Sequence, residues 1–169
     1  MLLDISAVLK SSMEKLKFEN EIDVSDVDFS EFDAAFIKPV KVLGHVKNVV
    51  GVVELFAQVD CVYATSCSRC GEELLKNLSF DFEQTYVKEQ TAEAEDALTL
   101  EGKTIDLKDI LCKNIALFLP LKQLCREDCK GICKRCGTNL NLGTCHCDAT
   151  ELDPRMAAIL DIFKGSDKS

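Results

Sequence analysis

The sequence has no tryptophan, two tyrosines, two histidines, three prolines and eight glycines among its 169 residues. The low proline and glycine content excludes a collagen-like or low-complexity chain. With only His45 and His146 available, a histidine-based acid–base pair is disfavoured, and no G-x-S-x-G or phosphate-binding glycine loop is present. No stretch approaches the roughly 18 apolar residues of a membrane-spanning helix. The opening MLLDISAVLK lacks the basic start and apolar run of a secretory leader, so a cytoplasmic setting is expected. A basic excess is also missing. Twenty Lys and Arg stand against 29 Asp and Glu, a formal charge of −9. Binding to nucleic acid draws most of its affinity from neutralising phosphates, so a general nucleic-acid binder is disfavoured. At 47% hydrophobic the chain can still bury a sizeable core.

Cysteine is abundant, with ten in the chain and six of them between Cys125 and Cys147. Eight fall into four close pairs: Cys67/Cys70, Cys125/Cys129, Cys133/Cys136 and Cys145/Cys147. Cys67-Ser-Arg-Cys70-Gly71 and Cys133-Lys-Arg-Cys136-Gly137 share the pattern C-x-R-C-G. Two thiolates on a tight turn, followed by a glycine free to take positive φ, make a metal knuckle. Eight thiolates suffice for one or two four-coordinate sites, which suit Zn²⁺ better than iron or an iron–sulfur centre. The preferred partition places Cys133, Cys136, Cys145 and Cys147 on one ion, across a short and cheaply closed loop. Cys67, Cys70, Cys125 and Cys129 then hold the other. The competing partition joins the two C-x-R-C-G knuckles and leaves Cys125, Cys129, Cys145 and Cys147 together; spacing does not choose. Disulfides would need an oxidising compartment, against the expected setting. Cys61 and Cys112 have no near partner and read as small buried apolar side chains. His146 reads as exposed, not as a ligand.

Alternation predicts a half-buried strand over Val53–Thr65 and another through Leu74, Leu78, Phe80, Phe82 and Tyr86. They flank Cys67–Gly71, which places that knuckle at the tip of an antiparallel hairpin. Short strands are expected near Met1–Ile5 and Leu16–Ile22, with a helical turn between them and a polar connection over Asp23–Asp33. Val40, Val42, Val46, Val49 and Val50 favour extended structure after Pro39. Glu89–Glu101 carries five acids and no base, and reads as a solvated loop or a surface for a basic partner. Asp106 caps a helix with apolar face Leu107, Ile110, Leu111, Ile115 and Phe118, ending by Leu119 before Pro120. A closing helix is expected from Asp153-Pro154 through Met156, Ile159, Leu160 and Phe163 to Gly165.

These readings sum to an α+β fold: an antiparallel sheet, open or partly closed into a barrel, with two C-terminal helices and a zinc-knuckle segment between them. Residues 1–120 would form the β-rich domain with its N-terminal extension and one helix. Residues 121–169 would form the cysteine-rich segment and the helix packed on it.

Several pieces resemble the YceD family, described as large ribosomal RNA subunit accumulation proteins. They are Cys67-x-Arg69-Cys70, the acidic middle, Ile105 and Leu107, Leu119-Pro120, Cys129-Lys-Gly-Ile-Cys133, Cys136-Gly137-x-Asn139-Leu140-Asn141 and Asp153-Pro154-Arg155. The likeness covers the chain from about residue 60 onward. It implies a non-enzymatic bacterial protein tied to accumulation of large-subunit ribosomal RNA.

Contact residues follow from local charge. Leu121–Cys136 holds Lys122, Arg126, Lys130, Lys134 and Arg135 against Glu127 and Asp128, a net of +3. With Arg69, these cations either touch RNA or a partner, or simply offset the charge of the thiolates. The expected partners are large-subunit ribosomal RNA or a basic ribosomal or assembly protein, with no membrane and no small-molecule substrate. The alternatives are an acidic protein–protein adaptor and an oxidation-sensitive zinc switch without RNA contact.

Overall fold

A computed structural model describes residues 1–10, 15–88, 97–100 and 102–147. The expected closing helix, the core of the acidic loop and Arg155 lie outside them. The chain divides into two compact units, Met1–Glu127 and Asp128–Ser169.

The first unit is built on two long strands. β4 (Val40–Val49) turns into β5 (Val52–Ser66), which turns at the Cys67 knuckle into β6 (Glu73–Val87). Before them come β1 (Leu2–Asp4), α1 (Ser6–Lys10), β2 (Leu16–Ile22) and the two-residue β3 (Ala35–Phe36). After them come β7 (Leu98–Thr99), β8 (Thr104–Asp106) and α2 (Leu107–Phe118). The main sheet runs β2-β4-β5-β6-β7, with β3 beside β5. All its pairings are antiparallel except β6 with β7. β1 and β8 form a separate antiparallel ribbon. Among the described residues β2 and β7 do not pair, so the sheet is open and no barrel closes.

The alternation of β5 explains its burial. Val53, Leu55, Ala57, Val59, Cys61 and Tyr63 all point into the core, and the intervening residues do not. Val40, Val42 and Val46 of β4 extend the same apolar face, and Leu107, Ile110, Leu111 and Ile115 of α2 belong to the same cluster. The ring of Phe118 stacks on Phe80 at 4.3 Å. Asp106 caps α2 by accepting from the backbone N–H groups of Lys108 and Asp109. Leu119 closes the helix in extended conformation before Pro120.

Two features are not in the hydrophobic pattern. Val50, grouped with the extended valines, lies in the two-residue β4–β5 turn with φ of 54°, followed by Gly51 at 90°. Positive φ at both positions matches the right-handed twist of a tight hairpin, which overrides the β preference of valine. The buried Asn48 holds this turn, donating to the Val8 carbonyl at 3.2 Å and accepting from Gly51 N–H at 2.9 Å. Gly44 is the second: a side chain there would overlap the Phe56 carbonyl oxygen and the Phe18 ring.

Candidate metal centres

The two C-x-R-C-G turns fold alike. Cys67 N–H donates to the Glu72 carbonyl at 2.9 Å, and Gly71 N–H donates back to the Cys67 carbonyl at 2.8 Å. In the second knuckle Cys133 N–H donates to the Thr138 carbonyl at 2.8 Å, and Gly137 N–H to the Cys133 carbonyl at 2.9 Å. Both glycines sit at φ of 71°, so the shared glycine is a backbone requirement. The first turn is the tip of the β5–β6 hairpin, whose last pair is Ser66 with Glu73.

That hairpin tip also anchors a later stretch of the chain. Ser68 N–H donates to the Gln123 carbonyl at 2.8 Å, and Gln123 N–H donates to Ser68 Oγ at 3.1 Å. The pairing brings Cys125 to the knuckle, with its Sγ 3.7 Å from that of Cys70. Arg69 reaches across with Nη1 donating to the Glu127 carbonyl at 3.3 Å.

The sulfurs fall into two groups, Cys67/Cys70/Cys125/Cys129 and Cys133/Cys136/Cys145/Cys147. Within each group the sulfurs lie within 4.8 Å of one another, so each is compact enough to hold a metal ion. This is the grouping in which each knuckle takes a different partner pair; the two knuckles do not share one site. All ten cysteines are free of disulfides. Cys67 and Cys129 in the first group are buried, whereas Cys136 in the second is exposed.

Asn141 is the supporting residue that cysteine spacing does not reveal. Its Nδ2 donates to Cys129 Sγ at 3.3 Å, and its Oδ1 accepts from Lys130 N–H at 2.8 Å. Its own N–H donates to Asn139 Oδ1 at 2.9 Å. The signal is the N-x-N repeat, since short amide side chains bond to backbone two residues away. Thr138 Oγ1 lies 3.1 Å from Cys136 Sγ.

These groups reshape thiol acidity. Burial opposes ionisation of Cys67, but backbone N–H groups of Cys125, Arg69 and Cys70 at its sulfur outweigh it and lower the pKa to about 6. The N–H groups of Cys136 and Arg135 lower Cys133 in the corresponding way. The Thr138 hydroxyl, then its N–H, brings Cys136 to about 6. Cys147 goes the other way, pushed up to about 12 by the neighbouring Cys136 sulfur and by burial. Crowded thiols of this kind cannot all ionise unaided, and a cation among them would remove the penalty.

The other sequence-predicted residues add no thiolate to either group. Cys61 is buried, donates to the Leu78 carbonyl at 3.4 Å and is raised to about 11 by burial. Cys112 is only partly buried, and packs against the core. His146 is exposed, and His45 stacks on Phe56 at 5.1 Å. Arg69, Lys122, Arg126, Lys130, Lys134 and Arg135 are all exposed. Among the described residues no helix is long and apolar enough to cross a membrane.

An uncharacterized protein of Mycobacterium leprae is 28% identical over 115 residues, covering 68% of this chain and 52% of its own length. Uncharacterized proteins of Mycobacterium bovis and Mycobacterium tuberculosis are each 31% identical over 75 residues, covering 44% of this chain and 36% of theirs. The chain thus spans about half, or about a third, of the curated relatives it matches. No solved structure matches it significantly. The family model for the large ribosomal RNA subunit accumulation protein YceD matches residues 55–163, which take in both knuckles and all eight clustered cysteines. The chain belongs to the YceD family.

Proposed function

We propose that the chain is a non-enzymatic, zinc-clipped cytoplasmic factor. It supports accumulation of large-subunit ribosomal RNA by holding that RNA or a ribosomal or assembly protein. Family membership supports the ribosomal link. The observation that carries the metal reading is sulfur spacing. Thiolates about 2.3 Å from a tetrahedral zinc stand about 3.8 Å from each other. Cys70 and Cys125 stand 3.7 Å apart, well beyond a disulfide. Cys67, Cys70, Cys125 and Cys129 would hold one ion, and Cys133, Cys136, Cys145 and Cys147 the other. All-thiolate sets with no open position suit a structural role, in which the metal supplies folding energy and no chemistry on a substrate. The amide donors of Asn141 and of the knuckle backbones offset the excess negative charge on sulfur.

The RNA arm of this reading rests on the exposed cations of the second knuckle. Lys134→Glu with Arg135→Glu is expected to weaken binding to large-subunit ribosomal RNA and to flatten its salt dependence. If both lysine and arginine neutralise phosphates, the log–log salt slope should change by about two. Filter binding across a salt series measures both. Unchanged affinity and slope would remove RNA contact at this knuckle and leave a protein partner.

A further inference from the structure

Among the described residues the main sheet ends on a long open edge. β6 is paired along one side with β5 from Tyr86 to Glu73, and on its other side with β7 only at Tyr86 and Val87. From Glu73 to Thr85, among the described residues, no strand covers that outer side. An uncovered edge presents alternate backbone N–H and C=O groups to any extended chain that arrives. Natural sheets usually blunt such an edge with proline, bulges or lysine. β6 has no proline, and its one base, Lys76, alternates with the exposed residues.

The face beside this edge is acidic. Every second residue of β6 from Glu73 to Glu83 is exposed, and three of these are Glu73, Asp81 and Glu83. The same face of β5 adds Glu54 and Asp60, so two adjacent strands carry five acids and no base there. Lys47 of β4 pairs with Glu54, and Ser79 bonds to Asp60. Glu73, Asp81 and Glu83 form no ion pair among the described residues. The opposite edge, β2, is half as long and mixes Lys17 with Glu19 and Glu21.

We propose that the outer edge of β6, from Glu73 to Thr85, docks an extended basic segment of a protein partner by adding it to the sheet as a strand. Main-chain hydrogen bonds would supply affinity, and Asp81 and Glu83 would select Lys or Arg at alternate positions of the incoming chain. The charge pattern decides against the other occupants. A nucleic-acid backbone would meet repulsion on this face. A second copy of β6 would bring its own carboxylates against these, which is unfavourable. The inference deepens the functional reading above, and rests on it only in expecting the segment to belong to a ribosomal or assembly protein.

The test uses the full zinc-loaded chain and a nine-residue peptide alternating Lys and Val. Fluorescence anisotropy should show binding, and hydrogen exchange should show protection concentrated over residues 73–85. A Glu/Val peptide, and the Lys/Val peptide N-methylated at alternate residues to remove its donors, should each bind roughly tenfold weaker or worse. Asp81→Lys with Glu83→Lys should weaken the Lys/Val peptide by a similar roughly tenfold factor. If that variant does not fold, the N-methylated peptide still decides. Equal binding of the N-methylated peptide, protection elsewhere, or no binding would overturn the proposal. So would protection of these amides by self-association or by an RNA oligonucleotide. If the peptide fails while ribosomal RNA accumulation in cells still requires the clustered cysteines, only the docking edge is refuted. Loss of that cysteine dependence would strike the functional reading instead.

Discussion

The sheet of the first unit and the segment from Asp128 to Cys147 differ in what they bury. The sheet buries a continuous apolar cluster, in which Ile5, Val8, Val40, Leu55, Val59 and Ile115 are wholly enclosed. In the described part of the second unit the buried residues are Cys129 and Gly131, while Ile132 is 48% and Leu142 is 88% exposed. That segment has no strand or helix, only turns and one bridge between Ile132 and Asn139. A stretch with almost no hydrocarbon to bury cannot offset its chain entropy by the hydrophobic effect. The proposed metal centres are the expected source of its order. On the proposed metal reading the difference predicts where metal matters: the sheet has an apolar core of its own, and the described part of the cysteine-rich segment has almost none.

The sharpest way to break this comparison is to remove the proposed zinc. Structural zinc contributes on the order of 10–16 kcal/mol per site in small domains, comparable to the ~5–15 kcal/mol total stability of a typical protein. Chelation, or Cys133→Ser, should therefore abolish amide protection across residues 128–147 while the strand signal in circular dichroism persists. Full retention of order and metal in Cys133→Ser would overturn the contrast. A core substitution should do the reverse. Leu55→Ala, at a fully enclosed site in the central strand, should cost about 2–5 kcal/mol in denaturant unfolding. Metal content should stay the same. A smaller effect, of opposite sign, is expected at the β4–β5 turn. Val50 is 92% exposed and held at φ of 54°, where a branched side chain is strained. Val50→Asn should stabilise the sheet by about 1 kcal/mol, read as a higher melting temperature with metal content unchanged.

Much of the sheet was legible because its signals are local. The alternation in β5 and β6, the Asp106 cap and the Pro120 stop each act within a few residues, and the observed strands and helix start and end close to where those signals lie. Val50 misled because its β preference is a property of the side chain, whereas the turn is imposed by the two strands it joins. The role of Asn141 was half visible. Its turn chemistry could be read, but its bond to Cys129 depends on a fold that brings residues 129 and 141 together.

By itself, the amino-acid sequence determined the class of the fold, the two glycine-ended knuckles and the eight thiols available for metal. Each follows from spacing along the chain, which fixes period, turn geometry and donor chemistry without reference to distant partners. Which thiols share a group was left to the tertiary structure, because that depends on the Ser68–Gln123 pairing that carries Cys125 to the hairpin tip. The side of β6 that no described strand covers was decided there too. A strand's periodicity reports which face is buried, but says nothing about which edge finds a neighbour.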